Sequence, residues 1–591
     1  MQNSSFQLNN FLKKAVHHII LIPFWLSSFV GLALIIDFGY EEGESFNNTL
    51  FWGSVASIIA GFAAMIARYL NVKKRPPARV WLMDGFFILV LLGLVMNLLH
   101  WQYFEFLDKR EWLLSGIILI ILREFSALNI DFKKKLINPA QLFILSFMVI
   151  ILSGTLLLML PKATHSGISF IDALFTSTSA VCVTGLVVVD TGSYFTQMGQ
   201  IIILVLIQIG GLGIMTFTSY FSYFFRGGSS YETQLLLKDM TSTDKIADVF
   251  ATLKKILLLT FLIEGVGLLM VFVFSERTGF SSIGDQLFFS LFHSVSAFCN
   301  AGFSTLSNSL YDNAFRFNYP LQLGIATLFI LGGIGFPIIF NFFKYLKYVI
   351  INRIQFLRKK REVIHVPWII NLNTRIVVIT TAILIVTGTM IFYWFEYDNT
   401  LKEHSELGKI VTAFFGAVTP RTAGFNTIDT ATLNFSTIMF IFLLMWIGAS
   451  PGSTGGGIKT STFAIGTLNY LSIARGKDRM ELFTREVADI SIRRAFAIIS
   501  LSLAVIGAAV FLIASFDHEK ELLPIAFECF SAYSTVGLSL GITADLNIPS
   551  KLVIITTMFI GRVSMLTILI AFLRKVKYLK YRYPTEEILI N

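Results

Sequence analysis

The chain has 591 residues, of which 55% are hydrophobic and 14% charged, with a mean hydropathy of +0.71. That composition excludes an ordinary soluble domain and leaves a polytopic membrane protein. The net charge of +10 would suit a nucleic-acid partner if it were gathered on one face, but it is dispersed among loops between apolar stretches.

Taken in chain order, near-uncharged stretches long enough to cross ~30 Å of hydrocarbon recur from end to end. About twelve are predicted, near residues 15–37, 50–70, 80–104, 111–129, 139–160, 198–224, 252–274, 320–346, 374–395, 435–472, 494–516 and 551–573. The first lacks a small-residue cleavage site and is too long for a signal-peptide core, so it is read as a retained helix. The fold class expected is an all-α polytopic membrane protein.

Positive residues cluster at Lys13–Lys14, Lys73 to Arg79, Lys133 to Lys135, Arg358 to Arg361, Arg475 to Arg485 and Arg574 to Arg582. All fall in loops on one predicted side. The opposite loops carry Glu41, Glu42 and Glu44, then Glu396 and Asp398, then Asp517, Glu519 and Glu521. The positive-inside rule puts both termini and the basic loops in the cytosol, and nucleic acid is rejected as a partner. Cys182, Cys299 and Cys529 show no CxxC or His-rich spacing, so neither a disulfide framework nor a zinc site is expected.

The chain divides near Asn138-Pro139. Residues 1–138 hold four predicted spans and no glycine motif. Residues 139–591 read as helix, short re-entrant half-helix, glycine motif and helix, repeated four times over about 139–226, 250–347, 373–472 and 494–575. The motifs are Val181-Cys182-Val183-Thr184-Gly185-Leu186, Asn300-Ala301-Gly302-Phe303-Ser304, Thr422-Ala423-Gly424-Phe425-Asn426 and Thr535-Val536-Gly537-Leu538-Ser539. Their glycines lie 117, 122 and 113 residues apart. Ser179-Ala180, Ser296-Ala297 and Ser531-Ala532 stand at one offset before three of them, whereas the third repeat carries Thr419-Pro420-Arg421 instead. A single such glycine is read as readily as helix packing; four in register point to fourfold pseudosymmetry around a common axis. Non-helical backbone at membrane depth is tolerated where it lines a wet cavity or is buried in protein, and glycine permits the unusual dihedrals involved. Rings of carbonyls can replace a cation's hydration shell, and the negative ends of four half-helix dipoles would favour a cation there.

On these four motifs the chain resembles the TrkH/KtrB/HKT superfamily of potassium transporters, over about residues 139–591, with wording closer to the KtrB side. The resemblance implies four membrane-pore-membrane repeats around one pore per protomer, a homodimer, and K⁺ as the transported ion, with Na⁺ as the other candidate. It implies a selectivity filter of Val183, Thr184 and Gly185; Asn300, Ala301 and Gly302; Thr422, Ala423 and Gly424; and Thr535, Val536 and Gly537. Glycine in all four loops favours potassium. A cytosolic nucleotide-binding regulatory subunit, TrkA/KtrA-like, is implied as a separate partner, since this chain shows no nucleotide-binding domain. No covalent cofactor is expected. The implied location is the cell (inner) membrane.

Within the tenth span, residues 448–459 are too polar and glycine-rich for a continuous helix. They are similar to the family's intramembrane gating loop, which implies a gate made of Gly452, Ser453, Thr454, Gly455, Gly456, Gly457 and Lys459, with Arg562 beside it. The physical reading agrees, since a broken helix beside a pore is a low-stability element able to move; a kinked, packed helix is the plainer alternative. Ser564-Met565 stands where the family commonly has Gly-Pro, which opens the shape of the last helix to question. Glu264 in the seventh span is open to two readings, a structural ion pair or a lining of the cytosolic pore.

Gly448-Ala449-Ser450-Pro451-Gly452 formally matches the nucleophile elbow of serine hydrolases, but an intramembrane hydrolase would need a histidine base, and His165 and His293 fall toward the outer half. Gly452 to Thr460 misses the phosphate-loop spacing because Ile458 separates Gly457 from Lys459. An ion-coupled symporter, driven by Na⁺ or H⁺, remains the main alternative to a channel-like uptake protein. The four N-terminal spans are not read as a strong voltage sensor, because the fourth carries only Arg123 within its apolar body. An accessory four-helix bundle is the preferred reading.

Overall fold

The computed structural model describes residues 23–34, 36–37, 39–40, 44–70, 78–98, 109–127, 139–213, 249–276, 279–357, 370–477 and 479–572. The expected basic clusters at 13–14, 73–75, 133–135, 358–361 and 574–582, and the acidic pair 41–42, lie outside the described residues. Among the described residues the regular elements are helices, apart from one short antiparallel hairpin that pairs Glu481–Leu482 with Arg485–Glu486.

Four helices come first: α1 (Pro23–Leu34), α2 (Glu44–Leu70), α3 (Ala78–Leu98) and α4 (Lys109–Ala127). They enclose a cluster of their own around Val30, Ile58, Phe87, Trp112, Ile117 and Ile120. Asp84 of α3 sits inside it, accepting from Tyr69 Oη at 2.7 Å and from Arg123 Nε at 2.5 Å. Arg123, the one basic residue of the fourth span's apolar body, is therefore buried in a structural ion pair.

The first repeat is α5 (Pro139–Leu158), the half-helix α6 (Phe170–Val181) and α7 (Gln197–Gly211). The second is α8 (Val249–Phe274), half-helix α9 (Ile283–Phe298), α10 (Tyr319–Ile334) and α11 (Phe336–Leu357). The third is α12 (Leu372–Glu396), half-helix α13 (Glu406–Val418), α14 (Phe435–Trp446) and α15 (Thr460–Ala474). The fourth is α16 (Asp489–Phe516), half-helix α17 (Leu522–Ser534), α18 (Ile548–Val563) and α19 (Met565–Phe572). Half-helices α6, α9 and α13 start at serine caps: Ser169, Ser282 and Ser405 accept from the backbone N–H three residues on.

Four described helices are long and apolar enough to cross a membrane unbroken, at Asn48–Ile66, Lys254–Phe274, Leu372–Glu396 and Asp489–Phe516, and shorter apolar helices occupy most of the other predicted spans. The span predicted at 320–346 is bent by 98° between α10 and α11. The bend sits at Gly335, whose φ of +93° is open to glycine, and Phe336 then donates to Gly452 O at 3.1 Å. The last span is likewise interrupted: Ser564 adopts φ +72° between α18 and α19, so the departure from Gly-Pro still yields a broken helix. Large apolar side chains such as Trp394, Phe511 and Val273 are more than 70% exposed, as lipid-facing residues would be.

The repeats close into a ring. Phe175, Val181 and Ile203 of the first share one core with Ile525, Ile554 and Met558 of the fourth. Lys551 of α18 reaches Asp172 of α6 at 2.8 Å, sealing the same junction. Glu396, expected among the outward acidic charges, is instead fully buried. Its carboxylate accepts from Thr437 Oγ1 (2.6 Å), Asn434 N (2.9 Å), Asn399 Nδ2 (2.8 Å) and Thr400 Oγ1 (2.9 Å), tying α12 to the start of α14.

Candidate ion pathway

Each half-helix hands over to its glycine motif in the same way. The residue two before the glycine is left-handed in every repeat: Val183 at φ +56°, Asn300 at +61°, Thr422 at +72° and Thr535 at +51°. The glycines follow at +89° (Gly185), +69° (Gly302), +77° (Gly424) and +93° (Gly537). Left-handed backbone is costly for a β-branched residue such as Val183, so the surrounding structure must impose it.

Hydroxyls impose part of it. Ser179 and Ser531 accept from Gly185 N and Gly537 N, both at 3.1 Å, while Ser296 donates to Phe303 O at 2.7 Å. In the third repeat Thr419 does the equivalent work, donating to Phe425 O at 2.7 Å. The Thr-Pro-Arg departure therefore preserves the strap, with a threonine one position closer to its glycine.

The four glycines adjoin one another in cyclic order. A Cβ on Gly185 would lie 2.4 Å from Ala301 O; on Gly302, 2.9 Å from Ala423 O; on Gly424, 2.3 Å from Val536 O; and on Gly537, 2.4 Å from Thr184 O. Thus the carbonyl preceding each glycine abuts the glycine of the repeat before it, and the fourth returns to the first. No side chain larger than hydrogen fits these positions without displacing backbone. Backbone carbonyls brought together in a closed ring can coordinate a dehydrated cation. Cys182 and Cys299 occupy equivalent C-cap positions of α6 and α9, and all three cysteines are buried free thiols.

Residues 448–459 interrupt the path between α14 and α15 and lie against one side of this ring. The loop is anchored at both ends by the parallel pairing of Ile447 with Ile458. Ser450 N donates to Gly333 O at 2.9 Å and Thr454 N to Gly332 O at 3.3 Å, docking the loop on the end of α10. Thr454 Oγ1 lies 3.2 Å from the Asn300 amide, which is itself 3.2 Å from Thr422 Oγ1. Cβ atoms on Gly455 and Gly456 would each fall 2.1 Å from a ring hydroxyl, Thr422 Oγ1 and Thr535 Oγ1 respectively. Lys459 Nζ donates within its own loop, to Gly455 O at 2.7 Å. Arg562 donates to Thr454 O and, at 2.5 Å, to Gly210 O. Gly452, Ser453 and Gly457 complete the loop, with Gly452 and Gly457 in positive φ. The predicted ring, loop and arginine thus form one contiguous assembly.

Sequence reasoning missed Arg421 as part of it. Arg421 is buried, and its guanidinium reaches toward Gly448 O, at the start of the loop, at 3.5 Å. Its position in the inserted Thr-Pro-Arg was the available signal. Of the two readings of Glu264, the ion pair is not found among the described residues: its partners are neutral, Gln208 Nε2 at 3.0 Å and the Cys299 thiol at 3.8 Å. Ser450 accepts from Thr460 Oγ1 at 3.4 Å, and among the described residues no histidine is hydrogen-bonded to this nucleophile-elbow serine.

A family model described as "TrkH: Cation transport protein" matches residues 109–580, beginning some thirty residues before the boundary expected from sequence and taking in α4. The Ktr system potassium uptake protein B of Bacillus subtilis is 37% identical over 454 residues, covering 76% of this chain and 96% of that protein. The protein of the same name from Vibrio alginolyticus is 36% identical over 459 residues, covering 76% and 94%. The potassium/sodium uptake protein NtpJ of Enterococcus hirae is 35% identical, covering 78% and 98%. Among solved structures, the potassium transporter TrkH from Vibrio parahaemolyticus superposes with a TM-score of 0.59 at 18% identity, over 84% of this chain and 97% of that one, a likeness of fold. The chain belongs to the TrkH family of cation transport proteins.

Proposed function

We propose that this protein takes up K⁺ across the cell membrane through the ring at Gly185, Gly302, Gly424 and Gly537, with residues 448–459 as the gate and Arg562 as its electrostatic brake. The observation that carries the reading is the cyclic contact of the four glycines with their neighbours' carbonyls. A dehydrated cation needs such a ring, bound firmly enough to enter and weakly enough to leave. The names of the relatives favour potassium. The loop stands directly beside the ring, where it would obstruct an ion leaving it. Both termini are assigned to the cytosol, residues 1–138 to an accessory helical region, and the working unit to a homodimer with a cytosolic nucleotide-binding subunit.

The experiment is complementation. Cells lacking potassium uptake are grown on low K⁺ with this chain and with each of the four glycines replaced in turn by alanine. Growth is expected with the native chain and lost with the four variants at equal membrane abundance. Growth unaffected by all four replacements overturns the filter assignment.

A second reading, Na⁺-coupled symport, is favoured by one relative's name, potassium/sodium uptake protein. Flux that follows the Na⁺ gradient as well as that of K⁺ would select it.

A further inference from the structure

The four repeats share the backbone conformation of the ring but differ in the side chains past it. Two residues past each glycine stand Val187, Ser304, Asn426 and Ser539. Nine residues before each glycine, on the half-helices, stand Thr176, His293, Phe415 and Glu528. In the second and fourth repeats these two positions are joined. His293 Nε2 lies 2.9 Å from Ser304 Oγ, and Glu528 accepts from Ser539 Oγ. In the first and third repeats they are not: Thr176 bonds back to Asp172 O of its own helix at 2.9 Å, and Phe415 packs on Phe329.

The two joined pairs share a polarity. His293 Nδ1 lies 2.9 Å from Phe289 O; a carbonyl only accepts, so in the neutral ring Nδ1 carries the proton and Nε2 offers a lone pair. Ser304 therefore donates inward to His293 and accepts from Leu306 N at 3.0 Å. Ser539 donates inward to Glu528 and accepts from Gly541 N at 2.9 Å, at the same offset from its glycine. His293 and Glu528 are both fully buried, although they differ in chemistry. Thr543 Oγ1 adds a second contact to Glu528 at 3.0 Å, and Thr430 donates to Ser539 O at 2.5 Å. Because the repeats follow one another in cyclic order, the second and fourth stand opposite each other.

We propose that Ser304 and Ser539, held by His293 and Glu528, are positioning residues that fix the strands beyond Gly302 and Gly537 on opposite sides of the ring, so that discrimination among monovalent cations has a twofold component. The proposal rests on the filter reading above. A carbonyl ring discriminates by the number and placement of its oxygens. Strands pinned at two opposite points cannot widen along that diameter, whereas the strands through Val187 and Asn426 lack this brace.

The test measures KM, Vmax and K⁺/Na⁺ preference for uptake in potassium-uptake-deficient cells, normalised to membrane content. Ser304→Ala and Ser539→Ala are each expected to raise KM for K⁺ or lower K⁺/Na⁺ preference about fivefold, the size of one buried hydrogen bond. The double variant should lose more, with Vmax within about threefold. Glu528→Gln keeps an acceptor and should restore near-native behaviour, whereas Glu528→Met should match Ser539→Ala. Should Glu528→Met fail to assemble, the serine variants, which delete only a hydroxyl, decide. Thr176→Val, the equivalent half-helix position without the brace, should leave all three quantities unchanged. KM and preference within twofold of native in the double serine variant, or an equal effect from Thr176→Val, overturns the proposal. Gly185→Ser is run alongside: if it alters K⁺/Na⁺ preference while the serine variants do not, only the brace fails, and if it too changes nothing, the filter reading falls.

Discussion

The guanidinium of Arg562, at the end of α18, donates to the backbone carbonyl of Thr454 in the 448–459 loop and, at 2.5 Å, to that of Gly210 at the end of α7. One side chain of the fourth repeat thereby ties a loop of the third to a helix of the first. The start of the same loop is approached by the buried Arg421, which reaches toward Gly448 O at 3.5 Å, so two arginines address its carbonyls. Hydrogen bonds from a charged donor contribute about 1.5–3 kcal/mol each, which is enough to bias a two-state loop by more than tenfold.

Replacing Arg562 by Gln should free the loop and raise maximal K⁺ uptake several-fold at equal membrane content. Lysine should not restore the native rate, because one ammonium lacks the planar fork that reaches two carbonyls from one position. Initial uptake rates read both variants; a native rate in Arg562→Gln would leave the arginine structural.

Deleting residues 452–457 should raise flux further, since the obstruction itself is removed. Gly456→Ala should act in the same direction and more weakly, because its methyl would fall 2.1 Å from Thr535 Oγ1 and push the loop off the ring. Unaltered transport in the deletion would show that the loop is packing and no gate.

Glu396→Ala should destabilise the protein strongly while sparing ion preference. The carboxylate takes four hydrogen bonds at the junction of α12 and α14, and its loss strands the buried Thr437 hydroxyl at about 1–3 kcal/mol, with smaller losses at the three more accessible donors. Thermal unfolding in detergent is expected to shift down by several degrees, with Glu396→Gln intermediate. Equal shifts for Ala and Gln would refute the role given to its acceptor oxygens.

His404 supplies a pH dependence outside the membrane spans. It packs between Phe317 and Tyr319, with Tyr319 Oη 3.2 Å from Nδ1. Burial, reinforced by Arg316, holds its pKa below the usual 6.5, against the opposing pull of Glu403. The neutral ring is therefore the folded form, and its contribution is fully present above pH ~6.5 and lost as pH falls toward the lowered value. Stability should decline on acidification through that window, and His404→Gln should flatten this part of the profile. A profile identical in the variant would assign the acid sensitivity elsewhere.

Much of this was legible in the chain. The repeat emerged from spacing alone, because four glycines in register are hard to produce by packing. The loop at 448–459 was legible because five glycines, two serines and a lysine cannot continue an apolar helix. Arg562 stood out because an arginine inside an apolar span needs partners. Legibility ended where a residue's role depends on what lies across the ring. Glu396 reads as a loop charge until Thr437, 41 residues on, is brought to 2.6 Å from it. Glu264 reads equally as half of an ion pair or as a pore-lining charge, and only the fold supplies Gln208 from α7 as its partner.

The sequence by itself therefore determined the membrane class, the four repeats, the glycine ring's members and the break in the tenth span. Composition and local backbone preference are properties of short segments and need no partner. Only the tertiary structure decided that the ring closes in cyclic order, that the Thr-Pro-Arg insertion keeps its strap through Thr419, and that Ser304 and Ser539 bond to His293 and Glu528. Those facts depend on hydrogen-bond geometry between segments, which residue spacing does not encode.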